Sequence, residues 1–273
     1  MLVRMLACVG LLALSTAPAT RLWAQRTGDQ ARLVFTVSAG AAGGKSLWTV
    51  PKQAVQFPGA PTADTLSLSR DIRSTLVVGF GASYFPGAQV GFSAEGFLIG
   101  LGYEDSCRQP YSSGSPSVAA ACQSLQSATK SATAVILSAG TILRTNSRKL
   151  ISPYLRAHAG FVFSNQSSLR TIGRYPGAGG ERLDLIIYSD SHDSRVEPAF
   201  ALGAGMTAAL SPGYQLRWEV RDNIVGVQKI SGPSPRTGDV VTPVTPHELD
   251  FKHLISVTIG FDVVLERRRG RRY

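Results

Sequence analysis

Nowhere does this sequence hold eighteen consecutive apolar residues, so it offers no helical membrane span. It has only three cysteines, fewer than a Cys-rich zinc site requires. Its four histidines, His158, His192, His247 and His253, fall at no metal-ligand spacing such as paired His at helical intervals. Charged residues are scarce at 17%, against 44% hydrophobic. The formal net charge of +10 invites a nucleic-acid reading, but the opening residues direct the chain away from nucleic acid. No metal, cofactor or catalytic set is expected.

Those opening residues read as a secretory signal. Arg4 supplies a short positive region, Leu6 to Leu14 an apolar stretch, and Ala17-x-Ala19 or Leu22-x-Ala24 a small-residue cleavage site. We expect a signal peptide over 1–24, one domain over 25–265 and a basic tail over 266–273. Cys8 precedes most of the apolar run, which argues against lipoprotein processing. Removing the signal leaves 26 basic against 18 acidic side chains, with Arg267, Arg268, Arg269, Arg271 and Arg272 in the tail. Cys107 and Cys122 then remain, and an oxidising compartment permits the disulfide we expect between them.

Strand-like segments recur near 32–41, 74–85, 88–103, 130–144, 150–164, 196–210, 214–226 and 252–265. Phe85-Pro86-Gly87, Asn146-Ser147-Arg148 and Ser211-Pro212-Gly213 are tight turns. The other connections, 42–73, 104–129, 165–195 and 227–251, are long and polar. Eight strands with both termini on one side give three turns there and four loops opposite, the pattern of short periplasmic turns and long extracellular loops. The fold class expected is therefore all-β: an eight-stranded antiparallel up-and-down transmembrane β-barrel. Segments 48–55 and 183–188 also look extended; hairpins within the loops and a ten-stranded barrel both fit them.

Period-two alternation assigns the faces. Tyr214, Leu216, Trp218 and Val220 oppose Gln215, Arg217, Glu219 and Arg221. In the last strand Ile255, Val257, Ile259, Phe261 and Val263 oppose Ser256, Thr258, Gly260 and Asp262. An Arg at the bilayer midplane costs about 2–4 kcal/mol, so the charged set must line the lumen. Glu95, Arg156 and His158 fall on inward faces too, and Glu95 is placed to pair with Arg217 or Arg221. Eight strands enclose little more than side chains, so this set predicts a filled lumen. The faces of 130–144 and 74–85 are ambiguous: Thr141 opposes Ser138, Gly140 and Arg144, and 74–85 is apolar on both sides.

With these stretches in place, the chain resembles the small outer-membrane β-barrel proteins, the group with OmpA-like transmembrane domains and OmpW-like proteins. Ala94-Glu95 with Gly100-Leu101-Gly102, Pro153-Tyr154-Leu155-Arg156, Gly203-Ala204-Gly205 and Leu216-Arg217-Trp218-Glu219-Val220-Arg221-Asp222 carry the resemblance, which spans about residues 30–265. Thr258, Gly260, Val263 and Leu265 look like the assembly signal of such proteins, although the family usually ends that strand on an aromatic. The resemblance implies a bacterial outer-membrane location, contact with outer-membrane lipids and lipopolysaccharide, and the barrel-assembly machinery as a partner during biogenesis. A monomer is expected.

Three functions fit: a structural or surface-interaction protein acting through its loops, a narrow OmpW-like channel for small apolar molecules, and a lipid A-modifying barrel enzyme. The filled lumen favours the first. The third would need a convergent site such as His192-Asp193-Ser194. Ala39-Gly40-Ala41-Ala42-Gly43-Gly44-Lys45-Ser46 fits a loose phosphate-loop pattern, but Leu47-Trp48-Thr49-Val50-Pro51 follows where a helix must open; we read it as a flexible loop entrance. Lys45, Lys52, Arg70 and Arg73 offer positive charge to lipopolysaccharide phosphates, diluted by Asp64 and Asp71.

Overall fold

The structure, a computed structural model, describes residues 32–44, 46–57, 63–109, 116–126, 129–145, 150–164, 170–177, 179–189, 196–211, 213–230, 232–237, 240–244 and 248–266. The signal segment, the His192-Asp193-Ser194 loop, His247 and the arginine tail lie outside these residues.

Eight long strands form the wall: β1 (Arg32–Gly44), β4 (Thr75–Phe85), β5 (Val90–Arg108), β6 (Thr129–Arg144), β7 (Ile151–Ser164), β10 (Val196–Ser211), β11 (Tyr214–Gln228) and β14 (Leu249–Glu266). Every neighbouring pair is antiparallel, and the β5–β6 pairing closes the circle. Three connections at one end are short, and four at the other are long. The sheet itself has ten strands, because β2 (Ser46–Val55) and β3 (Asp64–Ile72) join it through β3 against the upper part of β5. They sit above the closure, so the barrel is eight-stranded.

The register fixes the tilt. Stepping from Ile255 across bonded neighbours through Asp222, Leu202, Ala157, Thr141, Phe92, Tyr84 and Leu33 returns to β14 at Leu265, ten residues away. With a rise of about 3.3 Å per residue and strands about 4.8 Å apart, that offset gives a tilt of roughly 40°.

Alternation puts the apolar rows outside. Val37, Phe80, Leu155, Leu202 and Val257 are each about 60% exposed, while Arg217, Glu219, Arg221 and Asp262 are buried inside. A soluble, lipocalin-like barrel would have the opposite arrangement. The two ambiguous strands resolve: Ser138, Ile142 and Arg144 face inward with Thr141 outward, and Val77, Ser83 and Phe85 face inward with Leu76, Val78, Phe80 and Tyr84 outward.

The phosphate-loop look-alike is no loop. Residues 39–44 are strand within β1, and a Cβ at Gly40 would lie 2.0 Å from the Val257 carbonyl oxygen. Glycine there permits close strand approach.

The long connections also hold more order than their composition suggests. Besides β2 and β3 they contain α1 (Pro116–Gln126), the hairpin β8 (Arg170–Pro176) and β9 (Arg182–Ser189), and the short pair β12 (Arg236–Thr237) and β13 (Val240–Val241). Helix α1 and strands β3 and β8 fall in segments that sequence reading left as plain loop.

Candidate functional site: a sealed lumen beneath a packed cap

The inward side chains stack in three layers. At the periplasmic end Val34, Phe85, Ile142 and Tyr154 form an apolar floor, with the Arg144 guanidinium 3.8 Å over the Phe85 ring. Towards the extracellular end lies a second apolar layer containing Val77, Phe97, Ile99, Ile136 and Leu254. The ionic side chains lie between the two.

Glu95 is the hub of that middle layer. Its carboxylate accepts from Arg156 Nη1 at 2.6 Å and from both terminal nitrogens of Arg221, the Nη2 contact being 3.0 Å. Arg221 Nε also donates to Glu219 at 2.7 Å, and the Tyr154 hydroxyl donates to Glu219 at 2.5 Å. Arg217 pairs with Asp262 at 2.9 Å, and Thr36 donates to the same carboxylate at 2.8 Å. Thus Glu95 meets Arg221, but not Arg217, which Asp262 on the neighbouring strand claims first. Three carboxylates and three guanidiniums balance, as groups out of water must.

His158 adds an arrangement that sequence spacing did not suggest. Ser93 Oγ lies 2.7 Å from its Nε2, and its Nδ1 lies 2.9 Å from Glu95 Oε1. That is the order of a nucleophile, base and acid. However, the void beside it is about 10 Å³, at the lower limit for one water. His158 thereby links Ser93 to Glu95 within the packed middle layer. Ser93 and Tyr154 were nevertheless visible as same-face neighbours, two residues from Glu95 and Arg156 respectively.

Above the barrel the loops share a core of their own. Trp48, Val50, Leu66 and Leu68 from the β2–β3 hairpin pack with Val118, Ala121 and Leu125 of α1 and with Leu185, Ile187 and Tyr188 of β9. Gln53 and the Ser234 backbone bond one another in both directions, at 2.8 and 3.1 Å, and Ser234 Oγ donates to the Ser189 carbonyl at 2.8 Å. Arg70 is buried with Asp105, Nη2 to Oδ2 at 2.7 Å. It is therefore withdrawn from any surface role. Arg73 pairs with Glu104 in solvent, Lys52 is exposed, and Lys45 lies outside the described residues. At the rim Lys229 donates to Glu248 at 2.8 Å, which raises the ammonium's pKa and lowers the carboxyl's. Both groups are fully exposed, so the pair adds little to stability.

A disulfide joins Cys107 on β5 to Cys122 on α1. Its 15-residue separation corresponds to about 3 kcal/mol in the loop-closure account. Replacing both cysteines by alanine is expected to lower cap stability by roughly that amount while the barrel keeps its heat-dependent gel mobility. Limited proteolysis with and without urea checks this.

Aromatic contacts flank the apolar row of the last strand. On the outer wall Tyr214 stacks on Phe261 at 5.6 Å, and Phe200 faces Phe251 at 6.2 Å. Phe251 and Phe261 are ten residues apart on one strand, about 25 Å of axial height at the tilt found here, which equals the apolar band of outer-membrane barrels. This is an outer-membrane-type β-barrel. No protein-family model matches the chain, and no curated protein matches it. Among solved structures, the barrel is similar to Neisserial surface protein A, NspA, at 13% identity over 85% of this chain and 97% of that one, with a TM-score of 0.42. It is also similar to the outer membrane protein OprG of Pseudomonas aeruginosa, at 10% identity over 88% and 99%, TM-score 0.40. The outer membrane protease OmpT of Escherichia coli gives 9% over 86% and 97%, TM-score 0.42.

Proposed function

We propose that this barrel is a rigid outer-membrane platform whose work is surface interaction, performed by the packed extracellular cap. The observation carrying this reading is the separation of two cores. A charge-filled middle layer whose void, beside Glu95, Arg156 and Arg221, is about 10 Å³ offers solutes no path among the described residues, whereas the loops form a braced, disulfide-linked unit suited to display. An apolar-molecule channel would need a break in the wall, and the strand ladder is continuous around the barrel. In this reading residues 25–265 are the exported unit and 1–24 its signal. Thr258, Gly260, Val263 and Leu265 on the final strand serve recognition by the assembly machinery.

In planar bilayers the full-length protein is expected to give no stepwise conductance. Cutting all four long loops to short turns should preserve heat-dependent gel mobility and abolish the attachment or aggregation that the protein confers on cells displaying it. Conductance by the intact protein, or attachment unchanged without the cap, would overturn the proposal.

A further inference from the structure

In the cap, a groove of about 680 Å³ runs between helix α1 and the outward face of the β8–β9 hairpin. The hairpin alternates, burying Thr171, Gly173, Tyr175, Leu185 and Ile187. Arg174, Arg182 and Asp184 share the opposite, exposed face. Gln123 lines the groove from α1, and Ile172 and Pro176 give it an apolar surface.

Its walls are fixed before any ligand arrives. The Cys107–Cys122 disulfide ties α1 to β5, and the Gly177 N–H closes the hairpin turn on the Glu181 carbonyl at 2.7 Å. Arg174 and Asp184 are cross-strand partners, with Nε donating to Oδ1 at 3.1 Å. Arg182 is the diagonal neighbour of Arg174, and its guanidinium has no hydrogen bond or ion pair among the described residues. Diagonal neighbours on one sheet face lie about 7–8 Å apart, close enough to share a ligand. The lining charges are two guanidiniums and one carboxylate, because Glu181 lies against Gly177 and Gly179 instead.

These features select a ligand. Peptides are often recognised by adding a strand to an open sheet edge. Here α1 covers the outer edge of β8, where Ser124 Oγ accepts from the Arg174 N–H at 2.8 Å. Along the outer edge of β9, the Ser189 carbonyl accepts from the Val244 N–H at 3.0 Å. Recognition in the groove is thus left to side chains. A guanidinium fork matches a carboxylate, while Asp184 and Gln123 can accept from hydroxyls. One excess positive charge suits a singly charged sugar, and Asp184 opposes a densely charged polyanion. We propose that this groove binds a carboxylated sugar, with Arg182 on its carboxylate and Asp184 and Gln123 on its hydroxyls. The inference rests on reading the cap as the interacting surface, and it names the class of ligand.

The test is a ligand-observed NMR titration of the full-length protein in detergent micelles. The probes are sialyllactose and a disaccharide of glucuronate and N-acetylglucosamine, each beside an uncharged counterpart: lactose and the carboxyl-reduced disaccharide. At least one acidic sugar should bind about tenfold more tightly than its counterpart, and which one does so identifies the source. Arg182→Gln should weaken that binding about tenfold, the effect of losing one charge-assisted hydrogen bond. Unchanged tryptophan fluorescence and heat-dependent mobility would verify that the variant folds. Binding of neither acidic sugar, or equal affinity for the uncharged counterparts, would overturn the proposal. So would an Arg182→Gln variant that binds as wild type does. Tetraglutamate held as tightly, with the same sensitivity to Arg182→Gln, would overturn it in favour of an acidic peptide. Because the titration uses purified protein, its outcome is independent of the cell-attachment assay, which tests the display role itself.

Discussion

Glu95→Leu is expected to be the most damaging single substitution in the barrel. It leaves the Arg156 and Arg221 guanidiniums, each with a side chain only 4% exposed, without their shared carboxylate. Removing one partner of a buried ion pair costs about 3–5 kcal/mol, chiefly because the other charge stays behind. Glu219 is then left to serve both guanidiniums, at 2.7 Å from Arg221 and 3.4 Å from Arg156, so one positive charge stays uncompensated and the loss should fall within that range. Urea titration of the heat-dependent gel shift in detergent measures it. Because paired charges can often be exchanged for apolar residues at little loss, Glu95→Leu/Arg221→Leu should recover a substantial part. Arg156 would retain Glu219 at 3.4 Å. A single variant as stable as wild type would mean that water reaches this layer.

The second large effect belongs to the cap. Asp105→Ala takes the carboxylate away from Arg70, whose side chain is 1% exposed, and should destabilise the cap by about 3–5 kcal/mol. The consequence should be local. Arg70 lies 5.4 Å from the Trp48 ring centroid, and Trp48 stacks on Tyr188 at 5.4 Å, so Trp48 fluorescence reports on the cap. In a Trp218→Phe background the signal should change at low urea, with trypsin cutting the loops while the barrel still shows its gel shift. Loss of both signals at the same urea concentration would instead mean that cap and barrel unfold as one unit.

The wall was legible in the sequence because lipid and lumen impose opposite polarities on alternate residues. Rows such as Arg217, Glu219 and Arg221 could point only one way. The same rule identified Glu95, Arg156 and His158, and their partners followed from strand order except where adjacent Asp262 captured Arg217. The cap was largely missed. In α1 the buried positions Val118, Ala121, Cys122 and Leu125 follow a helical period, but two of the four are small or sulfur-bearing within a Ser/Ala/Pro-rich stretch. In β3, Leu66, Leu68, Arg70 and Ile72 are buried in alternation, yet the arginine made the segment read as solvated. Its carboxylate partner lies 35 residues away, a pairing that no local pattern announces.

The ionic layer also bears on how the chain becomes a barrel. Its hub joins β5 to β7 and β11, and Thr36 on the first strand meets Asp262 on the last, across 226 residues. Contacts this distant form late, since the closure entropy must be met first. Before closure, Arg221 lacks Glu95 from across the barrel and is poorly suited to hydrocarbon, and Arg156 lacks it until β5 to β7 are assembled. A half-built sheet released into lipid would strand those guanidiniums, so insertion and circularisation must proceed together. The charges that make the finished lumen impermeable thus also oppose escape of an unclosed intermediate into the bilayer.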